Sequence, residues 1–101
     1  MDTTTQLQNA LAEAKPTLVE FYKEGCPHCA EQAPIIDELK ERVGDKANVI
    51  TIDGTANPAL VEKYHVHSAP TYILFKDGQE CWRDGGRKPY SELRDMLDRF
   101  M

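Results

Sequence analysis

The chain has 101 residues, of which 41% are hydrophobic and 29% are charged, and its formal net charge at pH 7 is −5. These values fit one soluble globular domain spanning residues 1–101. The acidic balance, without any basic block, argues against nucleic acid or an anionic membrane as a partner.

The spacing of apolar residues and the placement of proline and glycine predict an alternation of helices and strands. Strands are expected where apolar residues run together, and helices where they recur every three or four positions. In chain order the predicted elements are a helix over Thr3–Ala14, a strand over Thr17–Tyr22, a helix from about Ala30 to Val43, a strand over Asn48–Asp53, a short helix capped by Asn57 and opened by Pro58, strands over Thr71–Lys76 and Gln79–Arg83, and a last helix with Leu93, Met96, Leu97 and Phe100 on one face.

This order of elements predicts an α/β fold. Strands separated by helices are expected to pair in parallel through right-handed crossovers. Asp77-Gly78 predicts a tight hairpin, which adds an antiparallel edge. The expected architecture is therefore a mixed central sheet, parallel strands plus a terminal antiparallel hairpin, with helices on both faces.

Cys26-Pro27-His28-Cys29 lies between the first predicted strand and the second predicted helix. A thiolate at a helix N-terminus meets unpaired N–H groups and the positive end of the helix dipole. Its pKa falls, and a low-pKa thiolate reacts with disulfides. Cys29 follows three residues later and faces the same side, so one cysteine can attack a disulfide and the other can resolve the product.

The use of cysteine also bears on the cellular compartment. Three cysteines leave one unpaired, so they do not form a disulfide scaffold. Residues 1–16 do not resemble a signal peptide, which predicts a cytoplasmic protein if Met1 is the natural start. An exported mature domain without its signal peptide would have the same sequence. A close cysteine pair in this setting points to redox or metal chemistry.

Several segments in register resemble the thioredoxin family over essentially the whole chain. The features are Leu18-Val19-Glu20-Phe21 before the dithiol, the Cys-x-x-Cys pair itself, Pro34 in the following helix, Ala69-Pro70-Thr71 before the third strand, and Phe75-Lys76-Asp77-Gly78 followed by Gly86. The resemblance implies the thioredoxin fold and a thiol–disulfide oxidoreductase in which Cys26 is the nucleophile and Cys29 the resolving thiol.

The resemblance also implies a substrate site and a set of partners. Pro70 would be in the cis form and face the dithiol, and the backbone at Ala69 would pair with an extended substrate segment. The expected partners are proteins that carry disulfides and a reductase that recycles the dithiol, and nothing demands more than a monomer. No cofactor beyond the redox-active Cys26–Cys29 disulfide and no resident metal are expected. The implied substrate-binding residues are Gly25, Ala69, Pro70 and Gly86.

The residues between the cysteines differ from those of ordinary thioredoxins. Those proteins carry Gly-Pro, whereas this chain carries Pro27-His28, as in the DsbA-type dithiol oxidases. A histidine beside the Cys26 thiolate favours that thiolate by charge or by a hydrogen bond. A stabilised thiolate makes the disulfide a better oxidant, by roughly 30 mV for each unit of pKa. We therefore expect a reduction potential above that of an ordinary thioredoxin.

Two further positions depart from the family pattern. Glu20 aligns with the buried aspartate that manages the proton of the resolving cysteine, and Val49 stands where the family often places a lysine. An unpaired buried carboxylate has a raised pKa. The alternative is a Glu20 side chain that points to solvent. Gly25 and Tyr22 replace common tryptophans, which predicts a more open rim around Cys26.

Two other functions fit parts of the sequence. A dithiol oxidase or isomerase is favoured by Pro27-His28 and opposed by the missing signal peptide. A metal-carrying binding module would use His65 and His67 together with the active-site residues, but surface histidines are the simpler interpretation because Pro70 would crowd the sulfurs. Cys81 is expected to pack as a small apolar residue, with the alternative of a regulatory disulfide, and the adjacent Trp82 faces the other way.

Overall fold

The computed structural model describes residues 2–101. Within that range the chain alternates helices and strands, with one short 3₁₀ turn over Gly44–Lys46. The helices are α1 (Thr3–Leu11), α2 (Pro27–Val43), α3 (Pro58–Lys63) and α4 (Tyr90–Asp98). The strands are β1 (Thr17–Tyr22), β2 (Asn48–Asp53), β3 (Thr71–Lys76) and β4 (Gln79–Gly85).

The strands form one mixed sheet in the order β2-β1-β3-β4. β1 pairs in parallel with β2, and β3 pairs antiparallel with both β1 and β4. The mixed sheet and the hairpin are as predicted, but the expectation that β3 would run parallel to the strands before it is wrong. The connection through α3 and residues 64–70 does not cross back over the sheet. β3 therefore starts at the end of the sheet where β2 ends, and it runs antiparallel to β1.

Helices cover both faces of the sheet, as predicted. On one face, Leu7 and Ala10 of α1 and Leu60 of α3 pack with Val19 and Phe21 of β1. On the other face, α2 and α4 pack against the alternate residues of β1 and β3, namely Ile36, Leu39, Val43, Leu93 and Leu97 against Leu18, Tyr72 and Leu74. Since side chains alternate along a strand, Glu20 belongs to the same face as Leu18, beneath α2.

Several element ends differ from the prediction. α1 stops at Leu11 and not at Ala14: Ala12 is its C-cap, and the backbone N–H of Ala12 is shared between the carbonyl oxygens of Gln8 and Ala10 in a tightened last turn. α2 begins at Pro27, earlier than predicted, since a proline is already shaped for the first helical position. β4 continues beyond Arg83 to Gly85, which pairs with Thr71.

The side chain of Asn57 does not have the predicted capping role. Asn57 does occupy the N-cap position of α3, but its side chain makes no capping hydrogen bond. Its Nδ2 instead donates to the carbonyl oxygen of Asp53 at 2.9 Å. The residue therefore ties the start of α3 to the end of β2.

Cys81 is exposed, so the prediction that it packs in the interior is wrong. The register between β3 and β4 shifts at this point: Leu74 faces Trp82 and Phe75 faces Glu80, which leaves Cys81 as the extra residue of a β-bulge. Trp82 packs against the cluster beneath α2 and α4, as predicted. The bulge on an edge strand is what turns the Cys81 side chain to solvent.

No helix in residues 2–101 combines the length and the apolar character that crossing a bilayer demands.

Candidate active site

The dithiol lies at the junction between the end of β1 and the start of α2. Cys26 is the N-cap residue of α2, and its Sγ accepts a hydrogen bond from the backbone N–H of Cys29 at 3.3 Å. The pKa of Cys26 is lowered, first by a hydrogen bond from the Cys29 thiol and then by the backbone N–H groups of Cys29 and His28. The free donors at the start of the helix therefore stabilise a thiolate at Cys26, as the sequence predicts.

The second sulfur has the opposite environment. Cys29 is buried, whereas Cys26 is partly exposed, and both are free thiols in the structure. Burial, with the hydrogen bond that the thiol donates to Cys26, raises the pKa of Cys29 to about 11. The outer sulfur is thus set up as the anion and the inner one as the protonated thiol, an arrangement that fits the predicted roles of nucleophile and resolving thiol.

The turn before β3 approaches the outer sulfur. Cys26 Sγ lies 3.6 Å from the carbonyl oxygen of Ala69, and the Ala69–Pro70 peptide bond is cis, as predicted. The backbone N–H of Gly86 donates to the carbonyl oxygen of Pro70 at 2.9 Å. The structure therefore brings Ala69, Pro70 and Gly86 to one rim beside Cys26; their part in substrate binding stays a prediction.

Gly25 directly precedes Cys26 and lines the cavity beside it. Its φ is +75°, a left-handed conformation that favours glycine, and a Cβ built there would meet nothing within 4 Å. The conformation of the backbone, and not crowding, accounts for the glycine. The space beside it agrees with the predicted open rim.

Glu20 points into the protein and not to solvent. It is only 4% exposed, and its Oε2 accepts a hydrogen bond from the Tyr72 hydroxyl at 2.6 Å. Burial raises its pKa, as predicted, while the Tyr72 hydrogen bond and the charge of Lys40 oppose that rise. The expectation of an unpaired carboxylate is wrong. Val49 offers no partner, but Tyr72 of β3 donates a hydrogen bond to the carboxyl group and Lys40 of α2 supplies a positive charge.

A cavity of about 340 Å³ joins the carboxyl group to the dithiol. Its walls come from β1, from residues 23–25 and from α2. Glu20 and Cys29 both line this cavity, which is larger than the roughly 30 Å³ that one water molecule occupies. The residues of the lining that bear on the chemistry are Glu20, Cys26, Cys29, Asp37, Lys40 and Thr51.

His28 contacts a carboxylate on the helix surface. Its side chain is 56% exposed, and Nδ1 lies 3.7 Å from Oε2 of Glu31, which also binds Arg87 at 3.1 Å. The part of His28 that stabilises the Cys26 thiolate is its backbone N–H. Pro27 sits at the first helical position, where the missing N–H costs no hydrogen bond. The predicted tuning by the imidazole stays a prediction.

Two residues around Glu20 were missed by the sequence analysis. Tyr72 faces Glu20 directly across the β1–β3 pair, and Gln32 donates to the Tyr72 hydroxyl at 2.8 Å. Both residues could have been found from sequence patterns. Gln32 is a polar residue on the otherwise apolar face of α2 that holds Cys29, Ile36 and Leu39, and Tyr72 alternates with Leu74 on the inner face of β3.

The histidines near the turn do not join the dithiol in a metal site. His65 and His67 are both exposed. Across residues 2–101, no group of three or more His, Cys, Asp or Glu side chains is arranged to hold a metal ion.

The buried carboxyl group should make stability depend on pH. The raised pKa means that the folded state holds the proton of Glu20 more tightly than the unfolded chain does, so the stability of the protonated protein is fully present below the ordinary pKa of 4.5 and is lost as the pH rises through the folded pKa. Glu20→Gln removes the loss and still accepts the Tyr72 hydrogen bond. With both active-site cysteines reduced, we expect Glu20→Gln to have a larger free energy of unfolding than the wild type at neutral pH. The gain should be about 1.4 kcal/mol for each pH unit that separates the folded from the ordinary pKa of Glu20, and it should vanish below about pH 4.

Urea unfolding of both proteins across this pH range measures the difference. Glu41→Gln, at an exposed position of α2, is the matched control and should leave the free energy of unfolding unchanged. A Glu20→Gln variant that is less stable than the wild type at neutral pH would contradict the assigned direction.

Comparison with known proteins agrees with this geometry. A family profile described as Thioredoxin matches residues 1–99. Thioredoxin 1 of Synechococcus elongatus is 32% identical over 94 residues, which cover 93% of this chain and 88% of the relative. Thioredoxin Y, chloroplastic, of Oryza sativa subsp. japonica is 36% identical over 84 residues, 83% of this chain and 50% of the relative. The chain thus spans about half the length of that chloroplastic relative.

Solved structures give the same result. A mutant thioredoxin from Halobacterium salinarum NRC-1 superposes with a TM-score of 0.87 at 29% identity, covering 95% of this chain and 83% of the other. A thioredoxin from Malassezia sympodialis, 20% identical, has the same TM-score of 0.87 over 99% of this chain and 87% of the other, and shares the fold. The sequence profile, the relatives and the fold agree: this chain belongs to the thioredoxin family.

Proposed function

We propose that this protein is a thiol–disulfide oxidoreductase that reduces disulfides in other proteins, with Cys26 as nucleophile and Cys29 as resolving thiol. The observation that carries the proposal is the contrast between the two sulfurs. Cys26 is partly exposed and has a lowered pKa, whereas Cys29 is buried and its pKa is raised to about 11. Membership of the thioredoxin family supports the same activity.

In the first step the Cys26 thiolate attacks one sulfur of a substrate disulfide. A bond forms between Cys26 and that sulfur, the substrate S–S bond breaks, and the second substrate sulfur leaves as a thiolate that takes a proton from solvent. The rim formed by Ala69, Pro70 and Gly86 lies beside the attacking sulfur, and the open side at Gly25 leaves room for the substrate chain.

In the second step Cys29 loses its proton and attacks Cys26. Two influences that raise the pKa of Cys29 come from Cys26, a hydrogen bond and a negative charge, and both weaken once Cys26 is bonded to the substrate. Glu20 takes the proton through water in the cavity. The Cys26–Cys29 bond forms, the mixed disulfide breaks, and the substrate leaves reduced by two electrons.

The partners and the compartment belong to the proposal as well. Continued turnover requires a reductase that returns two electrons to the Cys26–Cys29 disulfide. The relatives named above include a chloroplastic protein and a cyanobacterial one. The cytoplasmic location and the monomeric state stay predictions.

A dithiol oxidase or isomerase is the second candidate. The observation in its favour is the lowered pKa of Cys26, because a stabilised thiolate makes the disulfide more oxidising. No cluster in residues 2–101 favours the alternative of a metal carrier.

The division of roles between the sulfurs can be tested by trapping. Cys29→Ser removes the resolving thiol, so Cys26 should accumulate in mixed disulfides with protein substrates, which non-reducing gel electrophoresis and mass spectrometry detect. The experiment uses a Cys81→Ser background, because Cys81 is exposed and would form adducts of its own. The matched control, Cys26→Ser in the same background, should trap little, since Cys29 is buried. Equal trapping by the two variants would reverse or abolish the assigned roles.

The direction of the reaction follows from the reduction potential. For a reductant we expect a value in glutathione buffer above the roughly −270 mV of an ordinary thioredoxin but no higher than the cytosolic glutathione poise, about −220 mV. The measurement uses Cys81→Ser, in which the Cys26–Cys29 pair is the remaining dithiol. A potential near the about −120 mV of a strong dithiol oxidant would favour the second candidate.

The residues between the cysteines should set that potential. His28→Pro removes both the imidazole and the backbone N–H that faces Cys26, so the thiolate loses support and the potential should fall, by roughly 30 mV for each unit of pKa. His28→Ala removes only the imidazole and separates the two contributions. Because the contact with Cys26 is made by the backbone, His28→Ala should shift the potential less than His28→Pro. An unchanged potential in both variants would remove His28 from the tuning.

A further inference from the structure

A chain of hydrogen bonds runs from the backbone near the substrate rim to Glu20. The backbone N–H of Lys88 donates to Oε1 of Gln32 at 3.1 Å, and Nε2 of Gln32 donates to the carbonyl oxygen of Lys88 at 2.9 Å. Nε2 also donates to the hydroxyl oxygen of Tyr72 at 2.8 Å, and this hydroxyl donates to Oε2 of Glu20 at 2.6 Å. Lys88 lies two residues after Gly86, which contacts Pro70.

The direction of this chain is fixed by its backbone end. A backbone N–H only donates and a carbonyl oxygen only accepts, so the two contacts with Lys88 determine which side of the Gln32 amide carries the nitrogen. The Tyr72 oxygen must then accept from Nε2. Its own proton is left for Glu20, which lies at a short, charge-assisted distance.

The three side chains are shielded from bulk water. Tyr72 is 0% exposed, Gln32 2% and Glu20 4%. Burial and the charge of Glu20 raise the pKa of Tyr72, so its hydroxyl stays protonated and remains a donor. In such surroundings a hydrogen bond to a charged group contributes more than it would at the surface.

We propose that Tyr72 is a positioning residue for the second step: its hydroxyl, oriented by Gln32, binds one oxygen of the Glu20 carboxylate and keeps that group ionised and ready to take the proton of Cys29. The proposal rests on the proposed function, in which Glu20 is the base. In that step the proton passes from Cys29 to Glu20, the new Cys29 thiolate bonds to Cys26, and the substrate sulfur leaves with the electron pair of the broken bond.

Other ionisable groups line the same cavity or contact the carboxyl group, and they must stay constant in any test. From α2 these are Cys29, Asp37 and Lys40, and from the segment between β1 and α2 they are Lys23, Glu24 and Cys26. From β3 the facing group is Tyr72 itself, whereas β2 contributes the uncharged Thr51. Tyr72→Phe removes only the tyrosine hydroxyl, leaves the other groups unaltered and keeps the aromatic ring in the core.

The experiment follows the two steps separately across pH. Reduced protein in the Cys81→Ser background is mixed with one equivalent of the aromatic disulfide dithiobis(nitrobenzoate). The first phase releases one coloured thiolate when Cys26 forms the mixed disulfide, and the second phase releases the other when Cys29 resolves it. Stopped-flow absorbance between about pH 5 and 9 gives the midpoint of each phase.

The expected result is confined to the second phase. Without the Tyr72 hydroxyl the carboxylate loses a hydrogen bond to its charged form, so the midpoint should rise by about one to two pH units in Tyr72→Phe. Below both midpoints the second phase should be about tenfold slower for each pH unit by which the midpoint rises. Glu20→Gln should lose that midpoint, and adding Tyr72→Phe to it should change nothing more. Tyr64→Phe, which removes a tyrosine hydroxyl on the opposite face of the sheet, should match the wild type.

A second variant tests the same role independently, in case Tyr72→Phe does not fold. Gln32→Met keeps the Tyr72 hydroxyl but removes the amide that directs its proton, so the midpoint should move in the same direction by a smaller amount. Thermal unfolding checks that each variant is folded at the temperature of the assay.

The outcomes separate the role of Tyr72 from the proposed function. A wild-type midpoint in both Tyr72→Phe and Gln32→Met, with Glu20→Gln still altered, would overturn the role of Tyr72 and leave the proposed function intact. A wild-type profile in Glu20→Gln would overturn both Glu20 as the base and the positioning role of Tyr72. A missing first phase would contradict the proposed function itself.

Discussion

The structure depends on the way helix α2 begins. A helix starts with backbone N–H groups that have no carbonyl partner, and in most helices an oxygen side chain accepts from them. Here the acceptor is the sulfur of Cys26, which receives the N–H of Cys29. The hydrogen bond that caps the start of α2 is also one that stabilises the Cys26 thiolate. Folding of α2 and reactivity of Cys26 therefore share one interaction.

The buried carboxyl group of Glu20 lowers the stability of the folded protein. A carboxyl group in the core beneath α2 loses its hydration, and one tyrosine hydroxyl and one lysine charge replace part of it. A fully apolar side chain at position 20 would pack without that loss. A polar chain through Glu20, Tyr72 and Gln32 in an otherwise apolar cluster fits a carboxyl group that serves the buried thiol and not one that stabilises the fold.

Much of the fold was predictable because its signals are local. Continuous apolar runs mark β1 and β3, and the Asp77-Gly78 turn fixes the hairpin, so the elements follow from short stretches of sequence. The direction of β3 was not predictable in this way, since it depends on the path of the whole connection between β2 and β3. The cysteine roles and the turn at Pro70 were reached from spacing and family resemblance.

The failures share a cause: each depends on contacts between distant segments. Tyr72 meets Glu20 only because β3 lies antiparallel beside β1, in a register that places the two residues opposite each other. Cys81 was expected inside, and a one-residue shift between β3 and β4 puts it outside. Positions such as these follow from strand register, which short sequence patterns do not specify.

The bulge at Cys81 also affects how the edge of the sheet meets other molecules. An unbroken outer strand offers a regular row of N–H and C=O groups to which another strand can add. In β4 that row is interrupted, and the paired charges of Glu80 and Arg83, 2.8 Å apart, stand on either side of the interruption. Such an irregularity disfavours the addition of another strand at this edge, and it leaves the thiol of Cys81 exposed to solvent.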